Sequence, residues 1–125
     1  MNRVLTPFAT MVILIATLGI VLHFRASAAA DKPDAARGKK IYSVKCVVCH
    51  MADGSGGFEL TGAPTPDWRN AKLMASRAHS DSALRDCIMN GRPKSGMVAW
   101  AKSGQLKPAQ IADLIAYIHT FQGKK

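Results

Sequence analysis

Two cysteines and a histidine lie within five consecutive residues, Cys46-Val47-Val48-Cys49-His50, and this cluster constrains the fold more than any other feature of the chain. The spacing places the two thiols about one helical turn apart, with the imidazole beside the second thiol. Thiols and imidazoles bind metals and form covalent bonds, so the rest of the chain must fold around a chemical site here. Four kinds of site use such a pair: a redox dithiol, a zinc site, a structural disulfide and a covalent haem attachment.

The residues around the motif distinguish these four kinds of site. A thioredoxin-like dithiol follows a strand and precedes a helix, whereas here a helical pattern precedes the motif and a glycine-rich loop follows it. A zinc site needs four ligands, usually from two cysteine pairs, and the chain has no second pair. A disulfide would leave His50 without a role. Because Cys-x-x-Cys-His is the attachment signature of c-type haem, the sequence predicts one haem bound covalently through Cys46 and Cys49, with His50 on the iron.

The iron also needs an axial donor from the opposite side of the ring. The methionines and histidines after the motif are Met51, Met74, His79, Met89, Met97 and His119. Met51 is too close in sequence to cross the ring. Met97 lies in the loop of residues 91–100, between two predicted helices, where a thioether can be held rigidly toward the iron. We therefore predict that His50 and Met97 are the metal ligands, with His79 as the next candidate.

Helical periodicity predicts an all-α fold of three to four helices, with long loops wrapped around the haem. The predicted helices cover residues 33–47, 80–90 and 108–123. Residues 53–66 contain too many glycines and prolines for regular structure, and a loop of this length is expected to wrap something. Cys87 shares a helical face with neighbouring apolar residues, so we predict that it is a packed core thiol.

The first thirty residues differ in character from the rest. Residues 4–24 contain no charged side chain, Arg3 precedes them, and a run of small residues follows at 26–30. A basic start, an apolar stretch and an Ala-x-Ala exit are typical of a secretory signal peptide, although a stretch of about 20 residues also spans a bilayer. We predict that residues 1–30 are a signal peptide or an N-terminal membrane anchor, and that residues 31–125 form a monohaem domain exported to the periplasm.

Residues 31–125 carry 15 lysines and arginines against 8 aspartates and glutamates, a net charge of +7. The basic residues are scattered, with no run of three and no regular alternation with aromatic residues, which argues against nucleic acid as a partner. An acidic docking patch on a redox partner, or an anionic membrane surface, fits this charge better.

Two sets of residues flank the predicted axial ligands. The basic rim comprises Lys45, Arg92, Lys94 and Lys102, and the apolar contact within it comprises Val47, Val48, Val98 and Ala99.

These motifs resemble the class I c-type cytochromes, particularly the small bacterial monohaem proteins, over nearly all of residues 33–122. In that family a Gly-x-x-x-aromatic pattern precedes the haem motif, and Gly38 and Tyr42 match it. The last helix of the family crosses the first through an aromatic residue, which Tyr117 matches. The family's ligand methionine lies in a glycine-rich loop before that helix, as Met97 does here. The resemblance implies the cytochrome c fold.

The resemblance also implies that a proline carbonyl, that of Pro64 or else Pro66, holds the second nitrogen of the histidine ligand. Val98 stands where proline often follows the ligand methionine, and Cys87 lies outside the family pattern. With both axial positions filled, the implied function is single-electron transfer between a donor and an acceptor protein in a periplasmic respiratory or dehydrogenase-linked chain, with no enzymatic activity and no catalytic residue. The alternatives are a membrane-anchored cytochrome subunit of a larger redox complex, and a haem protein that binds or senses a gas.

Overall fold

The computed structural model describes residues 32–124. Five α-helices lie in this range, and they are α1 (Ala35–Lys45), α2 (Val47–His50), α3 (Ala71–Met74), α4 (Asp81–Asn90) and α5 (Pro108–His119). Two 3₁₀ turns, Arg77–His79 and Pro93–Ser95, lie in the connections, and this part of the chain contains no β-strand. The predicted all-α class is therefore confirmed, with two short helices, α2 and α3, that the periodicity did not predict.

Capping side chains set the ends of the longer helices. Asp34 caps α1, since its Oδ1 accepts hydrogen bonds from the backbone N–H groups two and three residues later, at 2.6 and 3.0 Å. The Ser80 hydroxyl caps α4, which begins where the sequence predicted. At Cys46 the backbone φ is −118°, and the chain leaves α1 and starts the separate turn α2. The haem motif therefore lies on its own turn, after the first helix.

The two long terminal helices, α1 and α5, touch at their backbones. A Cβ atom on Gly38 would lie 2.0 Å from the carbonyl oxygen of Asp113, so only glycine fits at this position. Beside this contact, the rings of Tyr42 and Tyr117 meet edge to face, with their centroids 5.2 Å apart. Arg37 donates to the buried Asp113 carboxylate at 2.8 Å, and this hydrogen bond holds the pKa of Asp113 below its usual range.

The apolar core lies along α5 and continues under the predicted site. Its buried side chains are Tyr42, Cys46, Trp68, Met74, Leu84, Ile88, Leu106, Ile111, Leu114, Ile115, Ile118 and Phe121. Six of them, including two from α4 and two from α5, also line a cavity. The site therefore lies directly against the core, whose close packing resists compression.

The predicted leader, residues 1–30, lies outside the described residues, so its cleavage or retention stays a prediction. The domain boundary at residue 31 stays a prediction for the same reason. Among residues 32–124, no helix is both long enough and apolar enough to cross a membrane.

Candidate functional site

The haem motif is folded as one tight turn. His50 donates its backbone N–H to the Cys46 carbonyl at 2.9 Å, and Cys46 donates in turn to the Tyr42 carbonyl at 2.9 Å. Cys46 and His50 are buried, each 8% exposed, while Cys49 is half-buried. All three side chains line the same cavity. The structure thus brings both thiols and the imidazole to one wall, as the spacing predicted.

Side chains from outside the motif hold its carbonyl groups. The Tyr42 hydroxyl donates to the carbonyl oxygens of Met51, at 2.6 Å, and His50, at 3.1 Å. Met51 has a φ of 60°, in the left-handed region, and there the chain reverses into the glycine-rich loop. From that loop, the Thr65 hydroxyl donates to the carbonyl of Cys49 at 2.8 Å. These bonds fix the turn from both sides.

The cavity has a volume of about 490 Å³, which lies within the range of small-molecule and cofactor sites. Its walls come from the haem motif, the loop that follows it, the turn Arg77–His79, α4, the loop before α5 and α5 itself. Apolar residues among them are Phe58, Leu60, Pro64, Pro66, Trp68, Leu84, Ile88, Val98, Trp100, Leu114 and Ile118. A cavity of this size with apolar walls and sulfur and imidazole donors fits a large, mostly apolar cofactor that carries a transition metal such as iron.

The His50 ring lies against Trp68, with the two rings 4.3 Å apart and 9° from parallel. Burial lowers the pKa of His50 to about 4, so the imidazole is neutral at pH 7 and can offer a lone pair to a metal. Its Nδ1 is buried and has no hydrogen-bond partner within residues 32–124. The expected bond to a proline carbonyl is therefore absent in this part of the chain, although Pro64 and Pro66 both line the cavity. Trp68 holds the face of the ring instead.

The remaining chemistry of the cluster argues against zinc. No group of three or more His, Cys, Asp and Glu side chains within the described range could hold a metal ion. Burial also raises the pKa of Cys46 to about 11, which keeps this sulfur protonated rather than ready for a divalent cation. A single neutral imidazole beside two thiols fits the covalent haem site better than a closed zinc site.

Backbone hydrogen bonds close the loop that carries Met97. Arg92 and Met97 pair through two backbone hydrogen bonds of 3.0 and 3.1 Å, which close the loop at its base. Gly91 has a φ of 68°, and a Cβ there would lie 2.6 Å from the Met97 carbonyl oxygen, so the loop folds tightly back on α4. Further along, Trp100 donates to the Ile88 carbonyl at 3.0 Å. The loop is held without a proline after Met97, and the thioether lines the cavity.

The other candidate donors are placed differently. His79 also lines the cavity, and its Nδ1 is paired with the Ser76 hydroxyl at 3.1 Å. Met74 is buried in the core, and His119 pairs with Asp81 at 2.6 Å on the surface. Neither of these two, nor Met51 or Met89, lines the cavity. The structure therefore brings His50 and Met97 to one cavity, with His79 as the only other candidate there among the described residues.

Cys87 is not a packed core thiol, so this prediction was wrong. The side chain is half-buried and lines the cavity, with its Sγ 3.4 Å from Met97 Sδ and 3.0 Å from Arg92 Nε. Its neighbours on α4, Leu84 and Ile88, are buried as predicted. The reason is the reversal at Gly91, which returns the loop along α4 and places the Met97 sulfur against Cys87.

Two residues at the site, Trp68 and Thr65, were not predicted. Trp68 stacks on His50, and Thr65 binds the Cys49 carbonyl. A large aromatic residue just after a polar loop rich in glycine and proline was the available signal for Trp68. Thr65, between two prolines, gave no comparable signal.

A family model described as cytochrome c matches residues 35–122, which is well over half of the chain. The chain belongs to the cytochrome c family. Cytochrome c6 of Nostoc is 36% identical over 102 residues, which cover 81% of this chain and 84% of that protein. Cytochrome c of Chlamydomonas reinhardtii is 32% identical over 106 residues, covering 73% of this chain and 92% of that protein.

A third relative is a larger protein. The subunit FixP of a cbb3-type cytochrome c oxidase from Bradyrhizobium diazoefficiens is 36% identical over 92 residues, or 74% of this chain. The match spans only 29% of the length of that subunit. The resemblance to a class I monohaem cytochrome c is thus confirmed, together with the cofactor, haem c, for which Cys46 and Cys49 have the attachment spacing.

The hydroxyl of Tyr42 can be tested by itself. Tyr42→Phe keeps the ring but removes the side-chain donor to the carbonyls of His50 and Met51, which then keep only the backbone N–H groups of Gly56 and Gly54. The haem-loaded protein should therefore lose about 0.5–1.5 kcal/mol of unfolding free energy. The matched control is Tyr117→Phe, because the Tyr117 hydroxyl has no hydrogen bond within residues 32–124; it should change stability by less than about 0.5 kcal/mol. Guanidinium unfolding measures both. Equal losses in the two variants would contradict this role of the Tyr42 hydroxyl.

Proposed function

We propose that this cytochrome is an exported single-electron carrier whose haem iron is bound by His50 and Met97. The observation that carries the proposal is their placement: a neutral imidazole and a thioether, from distant segments, line the same apolar cavity as Cys46 and Cys49. Haem supplies one-electron oxidation and reduction when it is bound in such a site. With both axial positions taken by side chains, no iron site is left for a substrate, so the protein is not an enzyme.

The chain's own residues favour the reduced state. A thioether is a weak, soft donor, and methionine opposite histidine raises the reduction potential. The apolar walls and the buried His50 keep water away. This disfavours the ferric form, which carries one more positive charge than the ferrous form. Trp68 and the Tyr42 hydroxyl hold the imidazole and its backbone in one place. The haem should therefore change its oxidation state with little rearrangement of the protein.

Export is supported by the sequence of residues 1–30, which combines a basic start, an apolar stretch and small residues. We therefore place residues 31–125 in the periplasm, as a soluble carrier after cleavage or on a retained anchor. The second candidate function, a cytochrome subunit of a membrane complex, is favoured by the match to the oxidase subunit FixP and by the uncharged residues 4–24.

The partner is proposed to be a redox protein with an acidic docking patch. Lys45 and Arg92 line the cavity, and Lys94 lies exposed on the turn that follows Arg92. None of the four side chains of the basic rim forms an ion pair within residues 32–124. Val48 and Val98 are 72% and 45% exposed, so an apolar contact is available between the charges. Such a surface suits the small, short-lived contacts of redox partners.

Replacing Met97 tests the axial assignment. Met97→Ala should abolish the weak absorption of the ferric protein near the red edge of the visible spectrum, which reports iron–sulfur bonding, and should lower the reduction potential. His79→Ala removes the other donor that lines the cavity and should leave both properties unchanged. If the wild-type protein lacks the band, or if Met74→Ala removes it while Met97→Ala keeps it, the assignment of Met97 is wrong.

Charge reversal tests the basic rim. At 0.01 M salt, where the Debye length is about 30 Å, Lys94→Glu should slow the oxidation of the reduced protein by ferricyanide at least about twofold. Ferricyanide is a small anion that stands in for an acidic patch. The matched control is Lys40→Glu on the exposed face of α1, with the same change in net charge and a smaller expected effect. Stopped-flow absorbance measures both, and equal slowing of the two variants would show that the rim has no special role.

A further inference from the structure

The sulfur of Cys87 lies against the sulfur of Met97, at a distance of 3.4 Å between Sγ and Sδ. The Arg92 side chain contacts the same thiol, with Nε 3.0 Å from Sγ. Cys87 is half-buried and lines the cavity, whereas Cys46 and Cys49 belong to the haem motif. Electron transfer through His50 and Met97 does not itself require a third cysteine here, so the contact calls for a separate explanation.

The chemistry of the two outer groups sets the direction of these hydrogen bonds. A guanidinium group can only donate, so Arg92 Nε–H points at a lone pair of the Cys87 sulfur. A thioether can only accept, so the S–H proton of Cys87 points at Met97 Sδ. The three side chains form a chain of donation from Arg92 through Cys87 to Met97. In this arrangement the charged end strengthens the thiol as a donor, because hydrogen bonds in series polarise one another.

The backbone supports the same contact. Arg92 pairs with Met97 through its own N–H and C=O, at 3.0 and 3.1 Å, while its side chain reaches Cys87. One residue thus fixes both the backbone of Met97 and the thiol that touches its sulfur. The close approach at Gly91 leaves the loop little freedom to move away from α4. The sulfur–sulfur contact therefore follows from the packing of the loop on the helix.

We propose that Cys87 is a positioning residue for Met97, whose thiol occupies one lone pair of the thioether and directs the other into the cavity. This inference rests on the proposed function, in which Met97 binds the iron. It has two consequences. First, the sulfur is held in one of its two configurations. Second, the hydrogen bond withdraws electron density from the sulfur, whose electron donation stabilises ferric iron more than ferrous iron. Cys87 thereby raises the reduction potential by outer-shell hydrogen bonding.

The test uses the full chain with its haem and two variants of Cys87. Cys87→Val removes the donor but fills the space of the thiol, while Cys87→Ser keeps a hydroxyl donor at the same place. Both are poised at the solution potential at which the wild-type protein is half reduced. The ratio of ferrous to ferric protein should fall by about two- to tenfold in the valine variant, the range for the loss of one hydrogen bond of ordinary net strength. The serine variant should lie between the valine variant and the wild type.

A second readout reports the orientation of the sulfur. The haem-methyl proton shifts of the ferric protein depend on which lone pair of the axial sulfur faces the ring. The valine variant should change their order or show a second set of signals, and the serine variant should keep the wild-type order. Arg92→Lys keeps the charge but removes Nε, so it should shift the potential in the same direction as the valine variant and less far.

The outcomes separate this inference from the proposed function. If Met97→Ala keeps the red-edge band of the ferric protein, Met97 is not the ligand, and the proposed function fails first. If Met97→Ala loses the band while the valine variant keeps the wild-type ratio and shift order, only the role of Cys87 is overturned. Should the valine variant fail to retain haem, the serine and Arg92→Lys variants decide: wild-type potentials in both would overturn the proposal.

Discussion

The rest of the structure depends on Tyr42, which contacts both the crossing of α1 with α5 and the haem motif. Its ring packs against Tyr117 of α5 and against Phe121, with centroids 5.2 and 5.3 Å apart, and only 2% of the residue is exposed. Its hydroxyl holds the carbonyls of His50 and Met51. The close approach of the helices at Gly38 places the ring there. One side chain therefore transmits the geometry of the crossing to the site.

The opposite wall of the cavity depends on a different constraint, the tight return of the chain at Gly91. There the backbone has a positive φ, and no space exists for a side chain. The return brings Met97 against α4 and pairs it with Arg92. Different contacts thus hold two walls of the cavity: aromatic packing around Tyr42 holds one, and the hydrogen-bonded loop of residues 91–100 holds the other. A carrier that changes only its charge state benefits from such a fixed frame, since little must move during the reaction.

Motif spacing and helix signals predicted much of this arrangement. Cys46, Cys49 and His50 could be placed together because five consecutive residues on one turn have little freedom, and Ser80 predicted the start of α4 because a capping hydroxyl has a local effect. Cys87 could not be placed. Its position on α4 is compatible with either the core or the cavity. Which of the two its side chain faces depends on the loop that brings Met97, ten residues later, against it.

Loop contacts were also beyond prediction, for a physical reason. Residues 51–70 have no periodicity, so nothing local indicates which of their side chains reaches His50. The stacking of Trp68 and the hydrogen bond from Thr65 emerge only when the loop is folded on the motif. In the same way, the expected proline carbonyl near His50 was implied by resemblance, and the described residues place Trp68 on that ring instead.

Covalent attachment is the central claim, and one mass measurement tests it most directly. The chain is made in a host with c-type cytochrome maturation enzymes, extracted with acid and acetone, and digested with trypsin. Cleavage after Lys45 and Arg69 releases the fragment 46–69, which contains Cys46 and Cys49 but not Cys87. The account predicts that this fragment carries the added mass of one haem. An unmodified fragment, with all haem free in the acetone phase, would contradict it.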